Sequence, residues 1–127
     1  MPTIYEFEYV MGGPAGNLFP SGDRWDLEAL VKKARSRSER INVRELGVGD
    51  IVDADDDGYK DTRGLYHVHG NVSKWVDDPR YMSGTIAFIK GGAADNSGYL
   101  WTNRFYKVAR DKTTKSRMVG FRCAKNL

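Results

Sequence analysis

The chain has 127 residues, 40% of them apolar and 29% charged, which is the balance of one globular domain rather than of a disordered or fibrous chain. No apolar run approaches the ~20 residues that cross a bilayer, and the opening Met1–Val10 carries Glu6 and Glu8 where a signal peptide has a basic start. A single cysteine, Cys123, excludes an internal disulfide framework and every multi-cysteine zinc site. These features predict one domain over residues 1–127, with no signal peptide or transmembrane segment, compatible with a cytoplasmic or virion protein. Pro2 after Met1 reads as a true start.

Thr3 and Glu6 have the spacing of a capping box. Ile4, Phe7, Val10 and Met11 then share one helical face, and Gly12-Gly13-Pro14 stops the helix. After a Gly/Pro-rich loop over 14–22, Asp23 is placed to cap a second helix. Its buried stripe would be Trp25, Leu27, Leu30, Val31 and Ala34, and its solvated face Lys32, Lys33, Arg35 and Arg37. Beyond residue 41 short β-rich runs alternate with turn residues. The predicted strands are Leu65–Val68, Asn71–Val76, Thr85–Ile89, Leu100–Val108 and Val119–Cys123. Helices followed by an irregular antiparallel sheet are an α+β pattern.

The net charge of +3 conceals a segregation: residues 45–103 carry −5 and residues 104–127 carry +7. Such a basic end suits phosphates, or the acidic middle of its own chain or of a neighbour. No groove-reading helix or RNA-binding signature accompanies it, so a nucleic-acid-contacting protein is a secondary reading.

Asp53-Ala54-Asp55-Asp56-Asp57-Gly58-Tyr59-Lys60-Asp61 fits the pattern D-x-D-x-D-G-x-x-D. Alternate carboxylates from Asp53, Asp55, Asp57 and Asp61, with the Tyr59 carbonyl, would converge on a hard cation, and Gly58 would permit the turn. Position twelve is Gly64, so this is not a full EF-hand. The expectation is Ca2+, and the alternative is an acidic, solvated turn.

Gly64-Leu65-Tyr66-His67-Val68-His69-Gly70-Asn71-Val72-Ser73-Lys74-Trp75 resembles the G-L-Y-D-M-H-G-N-V-W-E-W segment of the formylglycine-generating-enzyme, or sulfatase-modifying factor, family. Lys90-Gly91-Gly92 is similar to its R-G-G-S-W strand, and Gly120-Phe121-Arg122-Cys123-Ala124 to its closing G-F-R-C-A. Pro2-Thr3, Glu6-Phe7-Glu8-Tyr9 and Gly12-Gly13 resemble P-T-E-A-E-W-E-Y-A-A-R-G-G, followed by Phe19-Pro20-Ser21-Gly22-Asp23 for Y-P-W-G-D. The motifs keep the family's order and span the C-terminal half of a complete family domain. The resemblance implies a C-type-lectin-like α+β fold with two short N-terminal helices, an irregular antiparallel sheet and long loops. The Asp-rich loop also resembles the calcium loops of integrin propellers.

The departures bear on function. The family's oxidases use a cysteine pair after the G-G strand, and Ala93–Arg117 contains no cysteine. Cys123 reads as a small buried thiol, with Arg122 and Lys125 as neighbours able to lower its pKa. The family also uses an asparagine and a glutamate at a structural calcium site. Asn71 is kept, but Lys74 stands where the glutamate would, so that site is expected to be lost. His67 and His69, two apart, would share a strand face and could take a metal. The preferred reading is a structural His69 beside an exposed His67.

The segment after Gly92 offers Asn96, Tyr99, Trp101, Asn103 and Tyr106 as a ligand-binding surface, since aromatic and amide groups give contact area at low rotamer cost. Its alternative is that Tyr99, Trp101 and Phe105 form a strand's core face. In retroelement-diversified proteins that resemble this family, many of them phage receptor-binding proteins, the same region is the variable binding surface. The combined expectation is a non-catalytic, lectin-like binding or assembly module, such as a phage or viral structural, decoration or tail protein. Its partner would be a protein or glycan, or neighbouring copies in a homo-oligomer, and it would not insert into membranes. The competing reading is a degenerate sulfatase-modifying-factor-type enzyme built on His67, His69 and the acidic loop.

Overall fold

The computed structural model describes residues 1–37, 39–81 and 84–124. Helix α1, Ile4–Gly12, starts at the expected capping box: Thr3 Oγ1 accepts from the Glu6 amide, and the Glu6 carboxylate accepts from the Thr3 amide. Ile4, Phe7 and Met11 bury one face against Val68, Val76 and Phe88, with Val10 and Leu65 at the margin. A fully buried side chain of this size contributes about 1.5–3 kcal/mol. The amide of Ile4 donates to the Asp77 carbonyl at 2.7 Å, and Asp77 N donates to Pro2 O at 3.0 Å, tying the start of α1 to the end of the first strand.

Helix α2, Leu27–Arg35, is capped by Asp26, not by Asp23 as expected. Its apolar stripe is narrower than the periodicity predicts. Leu30 is buried, Leu27 is exposed, and Trp25 precedes the helix and packs on Phe19 and Tyr99.

Four strands form one sheet in the order β3-β2-β1-β4. They are β1, Ser73–Val76; β2, Ile86–Lys90; β3, Val108–Asp111; and β4, Val119–Gly120. β2 pairs antiparallel with β1 and with β3, but β4 lies parallel to β1, so the sheet is mixed rather than antiparallel. Two predicted strands are absent. Residues 65–68 form no strand, because His67, Gly70 and Asn71 adopt left-handed φ of 49°, 81° and 68°, outside the range of extended chain. In place of a strand over Leu100–Val108 there is a short helix α3, Gly98–Trp101, followed by a turn. The predicted strand at Val119–Cys123 ends at Gly120, and Cys123 is exposed, not buried.

Candidate functional site

The aromatic segment is held by contacts from distant parts of the chain. The Gly98 amide donates to Glu45 Oε2 at 2.8 Å, so a carboxylate 53 residues away caps α3. A Cβ on Gly98 would lie 2.6 Å from the Trp25 ring and 2.8 Å from Val43, which leaves glycine as the residue that fits. Gly92 has φ +78°, and a Cβ there would meet the Trp101 Cβ at 2.7 Å. From the other side the Lys90 ammonium, fully buried, donates to the carbonyls of Arg104 at 2.6 Å and Tyr106 at 3.0 Å and pairs with Glu8 at 3.2 Å.

On this support the predicted ligand residues separate. Tyr99 is 60% exposed and stacks on Phe19 with ring centres 5.9 Å apart. Leu100 and Phe105 are 44% and 58% exposed. Trp101 and Tyr106 are half-buried and pack edge to face at 5.3 Å. Tyr99 and Phe105 are therefore surface residues and not core, because the helical turn removes the alternation on which the core reading rested. Asn96 and Asn103 act within the loop: Asn96 Oδ1 accepts from the Ala93 amide and Asn103 Oδ1 from the Phe105 amide.

In the acidic loop, Asp57–Tyr59 form a single helical turn capped by Asp56, whose Oδ1 accepts from the Gly58 amide. Asp57 accepts from the Tyr66 hydroxyl at 2.9 Å and lies 3.5 Å from Lys60, and these contacts hold its carboxyl below the usual range. Burial opposes ionisation of Asp61, but bonds from Leu65 N and from Arg63 outweigh it. Asp53 and Asp55 are exposed, and Tyr59 is buried. Among the described residues no three His, Cys, Asp or Glu side chains are grouped so as to hold a metal ion. The Tyr66 and Lys60 contacts both fall on Asp57 Oδ1, while both Asp61 oxygens accept hydrogen bonds from Arg63 or Leu65.

His67 is not exposed as expected: it is buried, at 8% exposure, with Nε2 3.0 Å from the Asp53 carbonyl and its ring stacked on Tyr59 at 5.2 Å, and the Nε2 of His69 is buried as well. Burial lowers the pKa of His67, and that of His69 is pushed down to about 3 by burial, so both rings are neutral at pH 7. Both line a cavity of about 420 Å³ between the end of α1, the loop after it, α2 and residues 59–69. Sequence reasoning passed over this cavity, since its walls come from four separated segments.

A family model for the sulfatase-modifying factor enzyme 1-like domain matches residues 1–127. The chain belongs to this family. Among solved structures it is similar to Treponema denticola variable protein 1, at 18% identity and a TM-score of 0.66, and to CarF, at 19% and 0.60. Each match covers 95% of this chain but only 45% of the other, so the chain spans less than half the length of these two relatives. No curated protein sequence matches it. The fold is the C-type-lectin-like α+β fold of the sulfatase-modifying factor family.

Against that family, Lys74 has a clear structural consequence. Its ammonium is buried and donates to the Gly70 carbonyl at 2.7 Å. Burial, with Arg122 nearby, pushes its pKa well down. Asn71 is committed to protein partners: its Oδ1 accepts from Asn42 Nδ2 at 2.9 Å and Val52 N at 2.8 Å, and its Nδ2 donates to Val52 O at 3.1 Å. Lys74 and the Asn71 side chain are thus both engaged by protein groups. Cys123 is the only cysteine, and Lys125 lies outside the described residues.

Proposed function

We propose that this domain is a non-catalytic, lectin-like binding or assembly module whose contact surface is the Tyr99–Phe105 segment. The observation that carries the reading is three large apolar side chains, Tyr99, Leu100 and Phe105, left exposed on a segment pinned by Glu45, Gly98 and Lys90. Exposed apolar groups on a rigid support suit recognition, because little side-chain freedom is lost on contact. The absence of the family's cysteine pair from the sequence supports a role without thiol chemistry. Partners of the right kind are a protein or glycan ligand, or neighbouring copies in an assembly such as a phage or other virus particle.

The basic end supports nucleic-acid contact less well, because several of its cations are engaged by groups of the same chain. Arg117 pairs with Asp50 at 2.7 Å and Lys107 with Asp78 at 3.3 Å, while Arg104 and Arg122 donate to the carbonyls of Gly16 and Tyr66.

The test is the double variant Leu100→Ser/Phe105→Ser. Both positions are exposed, so stability should change by no more than about 1 kcal/mol. Self-association in sedimentation velocity, or capture on a glycan or protein display, should be lost. Unchanged association and unchanged ligand capture would refute this surface.

A further inference from the structure

A second exposed surface, which shares no residue with the Tyr99–Phe105 segment, is organised by Asp78. This carboxylate has no exposed side-chain surface and holds two cations at once. Its Oδ1 accepts from Arg80 Nε at 2.9 Å, and its Oδ2 accepts from Arg80 Nη2 at 2.7 Å and from Lys107 Nζ at 3.3 Å. The bonds from Arg80 keep the Asp78 carboxyl well below the usual range, so it stays ionised.

One carboxylate against two cations leaves a positive surplus. Among the described residues no second carboxylate pairs with Arg80 or Lys107. Asp77 and Lys112, which line a small cleft beside Tyr81, carry opposite charges and leave that surplus unchanged. Arg80 Nη1 and the remaining hydrogens of Lys107 Nζ find no acceptor among the described residues. The Arg80 side chain is 56% exposed and that of Lys107 30%, so both cations are held at the surface.

Tyrosines flank these cations. The Arg80 guanidinium lies 5.9 Å from the centre of the Tyr5 ring and 5.8 Å from that of Tyr81. Lys107 Nζ lies 5.6 Å from the Tyr81 ring centre and 4.2 Å from that of Phe88. Tyr5 and Tyr81 remain 54% and 51% exposed. Tyr5 stands on α1, Arg80 and Tyr81 in the turn Pro79–Tyr81, and Lys107 just before β3, so separate elements fix the arrangement. An exposed ring beside a fixed cation suits a ligand with a flat C–H face and an anionic group, because the ring face attracts polarised C–H groups and the cation orients the anion. A surplus of one charge matches a single carboxylate on a sugar better than the phosphate at every nucleotide of a single strand.

We propose that the surface formed by Tyr5, Arg80, Tyr81 and Lys107 binds an acidic saccharide. A sugar ring lies on an exposed tyrosine, and its carboxylate takes the free donors of Arg80 and Lys107.

The probes are a hyaluronan tetrasaccharide, trigalacturonate and sialyllactose, each titrated into the full chain and followed by NMR of the Arg80 Nε–H and the tyrosine rings. At least one should bind saturably and shift both Arg80 and Tyr5. Its neutral counterpart, chitotetraose, maltotriose or lactose, should bind about tenfold more weakly. Arg80→Gln cancels the surplus and should bring acidic and neutral sugars to similar affinity. Because that change also strips Asp78 of a partner, Tyr5→Ala is the companion variant. It is exposed and outside the Asp78 pairs, and it should weaken binding severalfold with the fold intact. Leu100→Ser/Phe105→Ser should leave this binding unchanged, which separates it from the Tyr99–Phe105 surface. No saturable shift from any of the three acids, equal affinity for acidic and neutral sugars, unchanged affinity in Tyr5→Ala, or equally tight binding of oligothymidylate would overturn the proposal.

Discussion

Asn71→Ala is expected to destabilise the domain by about 3–5 kcal/mol, from two sources that add. The first is hydrogen bonding. The Asn71 side chain satisfies Asn42 Nδ2, Val52 N and Val52 O in a site where the residue itself is 4% exposed. Each buried group left without a partner costs about 1–3 kcal/mol. The second is the backbone. Asn71 has φ +68°, a conformation that asparagine tolerates and alanine pays about 1–2 kcal/mol to adopt. Asn71→Gly separates the two, since glycine keeps the conformation and loses the bonds. In urea unfolding, alanine should be worse than glycine by about 1 kcal/mol, and both far worse than wild type. A loss below about 1 kcal/mol for both would mean that this network does not hold the Gly70 turn to the 42–52 segment.

Lys90→Met is expected to cost about 3–5 kcal/mol, the usual penalty when one partner of a buried ion pair is removed. The methionine keeps the stem but leaves Glu8 and the carbonyls of Arg104 and Tyr106 without their donor. Glu8→Gln should cost clearly less, because Lys90 then retains both carbonyls. The two carbonyls flank Phe105, so Lys90→Met should also raise amide exchange over residues 103–107. Destabilisation with no change in exchange there would show that Lys90 supports the core alone and not the proposed contact surface.

Local signals were legible in the sequence. The capping box at Thr3 and Glu6, the glycine stop of α1 and the strands near 73–76 and 86–90 depend on neighbours in the chain, and the structure has them. Where a distant group decides, local pattern misleads. The alternating aromatics after Ser97 look like a strand, but the Glu45 carboxylate caps that segment and Gly98 packs against Trp25 and Val43, which imposes a helical turn. The expected cap is Asp23, but Asp26 takes the role by accepting the hydrogen bond from the Ala29 amide.

The same limit governs the sites. The sequence leaves Tyr99 open between contact surface and strand core, and it is exposed; Asn96 and Asn103 each accept a bond from a nearby amide at Oδ1. No sequence pattern singles out Arg40, whose place over the Tyr59 ring, nineteen positions away, is set by the fold. The i, i+2 spacing of His67 and His69 assumed a strand, which the left-handed φ at His67 rules out, yet both rings line the same cavity.

The central claim is that this member of the sulfatase-modifying factor family works by contact rather than by thiol oxidation. Incubation of the purified domain with copper, oxygen and a sulfatase-type cysteine peptide tests it most directly, with aldehyde read by mass spectrometry. The account predicts an unchanged peptide, equal to a control without protein. Aldehyde formation above that control, lost in Cys123→Ser, would contradict it.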